Sequence, residues 1–448
     1  MIPAAALPSY RSHPAVAQYA RHVNPAFVEL LDLLGYGRLY ERALDVWVWD
    51  HEGRRYLDCL AGFGTVNLGH NHPRLAARLG AFLQSETLNH FHIGPSPYMA
   101  ELAAQLATDE LEVALFCNSG AEAVEAGLKL ARAATGRRKF VYCSGGYHGT
   151  TLGALGVMGD ERKRAAFVAG AENIEVPFGD FDRLKNVLGR DVAAFIVEPI
   201  QGEGGVRVPP AGYLEDAKAL CRRHGVLLIL DEVQTGIGRT GGLYAGEIVP
   251  DVRVLAKALG GGIASIGAAL TSRELHRKAY GSMARFDWHS STFGGNSFAC
   301  VAASETLRIL DAENLAANAA ARGGELLAGL RTRLHGHPFI KDIRGRGLLV
   351  GIEIGPTEAG WLNRLAPALV GVASRKVFGH WVSLKLLERG IICQPAALRW
   401  DVLKVEPPLS IGAAEIAQFV DAVGDIFDEY RDLPALLTDV AKRLARLG

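Results

Sequence analysis

The sequence predicts an α/β protein: a mainly parallel, doubly wound sheet in a large domain, joined to a smaller α+β domain. Three observations predict this. Between about 75 and 300, short apolar runs of strand length alternate with helical segments, the order that makes a parallel sheet covered on both faces. Beyond about 297 the order changes to a long Ala-rich helical stretch, a strand-like segment and further helices. The chain has 448 residues; at ~150 residues per domain this gives roughly two or three domains, long enough to need no disulfide or metal staple.

Taken in order, residues 1 to about 40 read as an irregular arm with scattered Pro and Tyr. Residues 46–50 and 54–58 alternate apolar and polar side chains around His51-Glu52-Gly53, the pattern of a β-hairpin. A Gly-rich loop runs from Ala61-Gly62-Phe63-Gly64 to His72-Pro73. The predicted strands cover 114–116, 140–142, 194–197, 226–230, 252–255 and 266–270, with helices at 122–134 and 213–224 among them. Then follow a long helix over 297–333, a strand at 347–354, a helix near 376–389 and a closing helix near 413–430. The expected division is an arm and hairpin over 1–60 that belong to the small domain, a large domain over 61–310, and the rest of the small domain over 311–448.

Lys plus Arg and Asp plus Glu are 48 each, so the net charge is zero and no basic surplus supports nucleic-acid binding. Hydrophobic residues at 49% and charged residues at 21% are ordinary for a globular chain and exclude an acidic disordered one. Six cysteines without a CxxC pair read as single buried thiols, and no metal site is expected. Residues 1–4 do not begin a leader pattern, and no uncharged apolar run reaches ~18 residues, so a cytoplasmic protein with no membrane partner is expected. The outlier is Gly, at 52, a residue that serves tight turns and close backbone approach to ligands.

In a doubly wound sheet, ligands bind beyond the carboxyl ends of the strands. After 114–116 comes Asn118-Ser119-Gly120-Ala121-Glu122, a small polar turn opening a helix, suited to a phosphate or simply a capped helix start. After 140–142 comes Gly145-Gly146-Tyr147-His148-Gly149, where Tyr147 is either a stacking face for a flat ligand or a core aromatic. After 194–197 come Glu198 and Glu203, candidates for acid/base work or for pairing with cations. Asp231 follows five apolar residues and must pair, bind a cation or hold a protonated ring nitrogen. Lys257 ends another apolar run; desolvation there makes a Schiff-base former, or the pair is a buried salt bridge. Pyridoxal 5'-phosphate needs all of these together: an aldehyde-binding Lys, an anion for the ring nitrogen, a phosphate cup and ring faces. The sequence lacks GxxxxGK[ST], HExxH and GxSxG, which removes the common P-loop, zinc-peptidase and serine-hydrolase readings.

From about Asp50 to Leu409 these elements resemble the class III, fold-type I, pyridoxal-phosphate-dependent aminotransferases, which include ornithine, acetylornithine, 4-aminobutyrate and putrescine aminotransferases. The resemblance rests on an ordered set: Tyr56-Leu57-Asp58 to Gly69-His70, Asn118 to Glu122, Tyr147-His148-Gly149, Glu198 to Gly205, Asp231 to Gly236 with Arg239-Thr240-Gly241, Leu255-Ala256-Lys257, Ser291 to Asn296, Arg344-Gly345 and Pro407-Pro408-Leu409. The stretches 59–73 and 202–212 are most similar to putrescine aminotransferase. The resemblance implies that Lys257 binds the cofactor aldehyde and shuttles protons, while Asp231 holds the ring nitrogen's proton. It implies that Ser119, Gly120 and Ala121 cup the phosphate, that Tyr147 and Val233 flank the ring, and that Gln234 lies near the ring 3-hydroxyl. His148 and Glu198 fall in the same cofactor shell. Thr292 would reach the phosphate of a neighbouring subunit's cofactor, which implies a homodimer with shared active sites.

The departures lie at the substrate positions. Glu203 matches the family's gate carboxylate, but its partner Arg before Pro-Pro-Leu is replaced by Lys404. Thr150 stands where ornithine-type enzymes have Arg, and Phe63 where they have Tyr. The expected reaction is ping-pong transamination between a keto acid and a primary amine: a diamine, an ω-amine or a bulky or long-chain amine. An ornithine- or acetylornithine-type aminotransferase is the first alternative. An aminomutase, decarboxylase or racemase on the same scaffold is the second.

Overall fold

The computed structural model describes residues 7–90, 93–167, 172–246, 248–355 and 378–430. The stretch read for a leader, 1–4, lies outside the described residues, as do 376–377 of one predicted helix. The expected irregular arm is instead three short helices, Leu7–Ser12, Pro14–His22 and Pro25–Leu34. Proline here opens helices rather than breaking them. At Pro14 and Pro25 the missing N–H falls where a helix has no acceptor for it, and Asn24 caps the third helix through a 3.0 Å bond from the Phe27 amide.

The hairpin forms as predicted. Strands β1 (Tyr40–Leu44), β2 (Trp47–Asp50) and β3 (Arg55–Asp58) make an antiparallel sheet. The central sheet takes β4 (Val113–Cys117), β5 (Lys139–Cys143), β6 (Ile174–Val176), β7 (Val192–Val197), β8 (Leu227–Asp231), β9 (Val252–Leu255) and β10 (Gly267–Thr271) in the order β4-β10-β9-β8-β7-β5-β6. The four pairings among β5 to β9 are parallel, and β10 is antiparallel to both β9 and β4. The cause of that reversal is the β9–β10 link, which holds only the short 3-10 turn Lys257–Gly260. A parallel return needs a crossover element such as an α-helix. Strand β6 escapes a sequence reading because it has three residues at the sheet edge.

Both faces of the sheet are covered. Helices Gly120–Thr135 and Arg273–Tyr280 pack on one side through Val124, Leu128, Ala279 and Tyr280. Helices Phe181–Val187 and Tyr213–His224 pack on the other through Leu184, Ala217 and Leu220. The predicted helix over 297–333 is two, Ser297–Ala312 and Leu315–Arg333. Asn314 breaks it with φ at 51°, a left-handed conformation that Asn tolerates better than most residues.

After it come β11 (Ile340–Arg346), β12 (Leu349–Ile354), helix Gly379–Glu388, β13 (Ile391–Ile392), β14 (Gln394–Ala396), β15 (Arg399–Val405) and helix Ala413–Glu429. Strands β11, β12, β15 and β14 form an antiparallel sheet, while β13 joins the first sheet, parallel to β3. The hairpin and the C-terminal region are thus one continuous structure. Among the described residues no helix is long and apolar enough to cross a membrane, and no three His, Cys, Asp or Glu are placed to hold a metal ion. All six cysteines are buried and unpaired.

Candidate active site

The carboxyl ends of β4, β5, β7, β8 and β9 face one edge of the central sheet, because β10 reverses direction between β4 and β9. That edge gathers the predicted residues. Asp231 closes β8 and is buried. Its Oδ1 accepts a 3.0 Å bond from the Val233 amide, and its Oδ2 lies 2.7 Å from His148 Nδ1. A carboxylate only accepts, so Nδ1 carries the proton. Burial pulls the His148 pKa down, but the hydrogen bond and charge of Asp231 outweigh it and raise the value. The other ring nitrogen, Nε2, is buried without a partner.

Lys257 follows β9, next to β8, where Asp231 is in register with Val254. Its backbone has φ at 44°, a strained value for a residue with a side chain. Its ammonium forms neither a hydrogen bond nor an ion pair among the described residues, so the buried salt bridge with Asp231 does not form. Burial, reinforced by the charge of Lys404, lowers its pKa against the opposing pull of Glu203, Glu406 and Glu198. A lowered pKa leaves more of the amine neutral and nucleophilic.

Glu198 has no ion-pair partner among the described residues, and the nearest cationic influence is that of His148. Its two oxygens accept the Tyr147 amide at 2.9 Å and the Gly202 amide at 3.0 Å, tying together the loops after β5 and β7. Burial pushes its pKa up to about 7. The half-buried Tyr147 is therefore held by its own backbone, with Lys163 5.7 Å from its ring. At the end of β4, Ser119 caps helix Gly120–Thr135 through a bond from the Glu122 amide to its hydroxyl at 3.2 Å. The next amides, of Gly120 and Ala121, head the helix, where N–H groups have no intrahelical acceptor. A Cβ on Gly120 would come within 2.9 Å of Val233, so only glycine allows the helix start to sit against that side chain. Thr292 is exposed, one residue beyond Ser291, whose hydroxyl accepts from Asn118 at 2.7 Å.

A second cluster lies across from this edge. Lys404, from β15, is fully buried and ion-paired with Glu203. It also lies 2.6 Å from Glu406. Gln234 donates to Glu203 at 3.1 Å and to Glu406 at 2.9 Å. Its side chain crosses Gly202 so closely that a Cβ there would lie 1.6 Å from its Oε1. Glu203 also accepts the Ala397 amide at 2.8 Å. Burial would raise the Glu203 pKa, but Lys404 first and Lys257 second bring it down to about 2. Phe63, also in a left-handed conformation at φ 61°, lays its ring 5.5 Å from the Lys404 ammonium. Thr150 is exposed and makes no hydrogen bond among the described residues, so it does not join this cluster.

Residues 35–427 match the family model of the class-III aminotransferases. The chain belongs to the class-III aminotransferases. It is 37% identical to the aminotransferase PigE of Serratia sp. (strain ATCC 39006) over 459 aligned positions, covering 92% of this chain and 53% of PigE. The chain thus spans about half the length of that relative. It is 34% identical to the ornithine aminotransferase of Toxoplasma gondii, at a TM-score of 0.77, with 87% of this chain and 90% of the other covered. It is 29% identical to an amine transaminase from an uncultivated Pseudomonas species in its PLP-bound form, at a TM-score of 0.76, with 87% and 94% covered.

Class-III aminotransferases depend on pyridoxal 5'-phosphate. The residues here fit that cofactor. An unpaired lysine amine, a buried carboxylate held by neutral or proton-sharing groups, and a helix start kept open by Gly120 converge on one sheet edge. The residue of this cluster that sequence reasoning missed is Glu406. Its signal was present: Lys404 and Glu406 are two apart at the end of a strand, and such spacing puts both side chains on one face.

Proposed function

We propose that this chain is a pyridoxal-phosphate-dependent aminotransferase whose amine donor carries no carboxylate at its far end, with a keto acid as acceptor. The observation that carries the reading is Lys257: a desolvated, unpaired amine on the strand next to the one ending in Asp231. The bound cofactor supplies an aldehyde for the amine and an electron-withdrawing ring that acidifies the carbon next to it.

The chain's residues divide the remaining work. Lys257 would bind the aldehyde, and its free amine would take and return the proton at the reacting carbon. Asp231, steadied by His148 and the Val233 amide, holds a proton on the ring nitrogen. Ser119 and the Gly120 and Ala121 amides cup the phosphate. Tyr147 and Val233 bracket the ring, and Glu198 fixes the Tyr147 loop. Gln234 reaches the ring 3-hydroxyl from a side chain braced by Glu203 and Glu406. Phe63, Glu203 and Lys404 face the substrate.

Thr292 completes the phosphate site of a second subunit, in a homodimer with shared sites. The cofactor domain spans 61–310, and the small domain joins 1–60 to 311–448, a division supported by the pairing of β13 with β3. Six unpaired buried thiols suit a reducing cytoplasm.

The test is a single-turnover panel. Holoenzyme is mixed with putrescine, hexylamine, ornithine or acetylornithine without acceptor, and aldehyde release is measured. The expected result is close to one equivalent of aldehyde per site from the carboxylate-free amines. No release from any amine rejects transamination; preference for ornithine or acetylornithine rejects the donor class.

A further inference from the structure

The gate position carries one more charge than a gate needs. A lysine that must greet an incoming carboxylate has to be freed when Glu203 moves aside. Here Glu203 is only one of two partners. Glu406 lies 2.6 Å from the same ammonium, is fully buried, and its backbone amide is fastened to the Cys59 carbonyl at 3.0 Å. Gln234 holds it from a further side at 2.9 Å. The Gly64 backbone closes over it so tightly that a Cβ would stand 3.0 Å from Glu406 Oε2. Glu406 sits at the end of a strand, beneath a loop, with no solvent to swing into.

The charges decide what this does. Glu203, Glu406 and Lys404 sum to minus one. Burial would lower the Lys404 pKa, yet Glu406 and Glu203 together hold it up, so Glu406 is a full partner of the ammonium. Arg239 also feels Glu406, but its two terminal nitrogens donate to the Leu348 and Pro407 carbonyls and to Asn67, while Nε has no partner among the described residues. It makes no hydrogen bond or ion pair with Glu406 among the described residues. When Glu203 leaves, Lys404 remains neutralised. A lysine is a point charge and cannot serve two carboxylates as a guanidinium fork does.

We propose that Glu406 is a specificity-determining residue that keeps Lys404 occupied, so that the pocket discriminates against carboxylate-bearing substrates and favours amines that are apolar or cationic at their far end. This rests on the aminotransferase reading for its substrates, but the pocket chemistry does not. A keto acid acceptor pays for the same arrangement with weak binding.

The experiment compares wild type, Glu406→Gln and Glu406→Gln with Lys404→Met as holoenzymes. Glutarate, a dicarboxylate that cannot react, is titrated in by calorimetry, and KM and kcat for 2-oxoglutarate and for hexylamine are measured separately. Removing one competing charge-assisted contact is worth roughly tenfold or more. Glu406→Gln is therefore expected to bind glutarate about tenfold tighter and to lower KM for 2-oxoglutarate by a similar factor. Its selectivity for ornithine over hexylamine is expected to rise by about the same amount. Adding Lys404→Met is expected to abolish the gain. Unchanged or weaker glutarate binding in folded Glu406→Gln overturns the proposal, as does a gain that survives loss of Lys404. If Glu406→Gln does not fold, Lys404→Arg takes its place. Its fork can hold Glu406 and an incoming carboxylate together, so tighter glutarate binding is expected and its absence overturns the proposal. Because glutarate binding needs no turnover, this result stands apart from failure of the transamination reading.

Discussion

Glu198 and Glu203 leave the same strand and stand five residues apart, yet the fold drives them in opposite directions. Both lose water. Glu198 bonds only backbone amides, and burial raises its pKa to about 7 although the charge of His148 opposes this. Glu203 pairs directly with Lys404, and its pKa falls to about 2. The difference is a cation in direct contact, since a nearby His148 and two amide hydrogen bonds do not offset the desolvation of a full charge. One loop therefore separates two regions. On the sheet-edge side, Lys257 and Glu198 have no ion-pair partner among the described residues and Asp231 meets only His148, so a ligand can use them. On the other side, charges are spent on each other until a substrate competes.

The strongest way to break this division is at Lys257. If the sheet-edge side performs the chemistry, Lys257→Ala loses nucleophile and base together, and turnover falls by more than ~10,000-fold. The visible absorbance of the lysine-linked cofactor disappears with it. A variant that keeps the absorbance would place the reactive amine elsewhere.

Asp231→Asn asks a smaller question of the same side. Asparagine keeps the shape and can still accept from the Val233 amide, but it carries no charge to hold a ring proton. We expect kcat to fall roughly 100- to 1,000-fold, in the range seen when one preorganised electrostatic group is removed. The amine KM should move far less. A fall under about fivefold would mean that the ring nitrogen does not depend on this carboxylate.

The two regions also differed in how far the sequence exposed them. Lys257 and Asp231 stood at the ends of apolar runs, where a charge demands a reason, and strand periodicity alone located them. Most of the central sheet was legible in the same way. The second region draws Phe63, Glu203, Gln234, Lys404 and Glu406 from separate stretches of chain. No local pattern records that convergence: the hydrogen bonds of Gln234 to two carboxylates have no signal in the sequence, and Glu406 has no role in the sequence reading. The arm differs for a local reason: scattered Pro and Tyr read as irregular chain, although Pro14 and Pro25 open helices. Asn314 failed oppositely, because a favourable Ala-rich run hid one left-handed residue.

The smallest expected effect tests the comparison directly, through pH. An unperturbed carboxyl titrates near 4.5. Glu198, with its folded value raised, contributes stability that is fully present below 4.5 and is lost as pH rises through about 7. Glu203, with its value depressed, contributes stability that is present above 4.5 and is lost as pH falls through about 2. For Glu198 the window corresponds to roughly 3 kcal/mol as an upper order of magnitude. Glu198→Gln is destabilised at pH 5, because the Tyr147 and Gly202 N–H groups approach different oxygens and the amide puts an NH2 donor in place of one of them. Its deficit against wild type should then shrink between pH 5 and pH 8, as wild type alone acquires an unpaired buried charge. The deficit of Glu203→Gln should instead grow as pH rises from 3 to 5. Melting temperatures of the cofactor-free proteins across that range decide the matter. Two deficits that move together with pH would mean that the two carboxylates share one environment, and that the loop between them separates nothing.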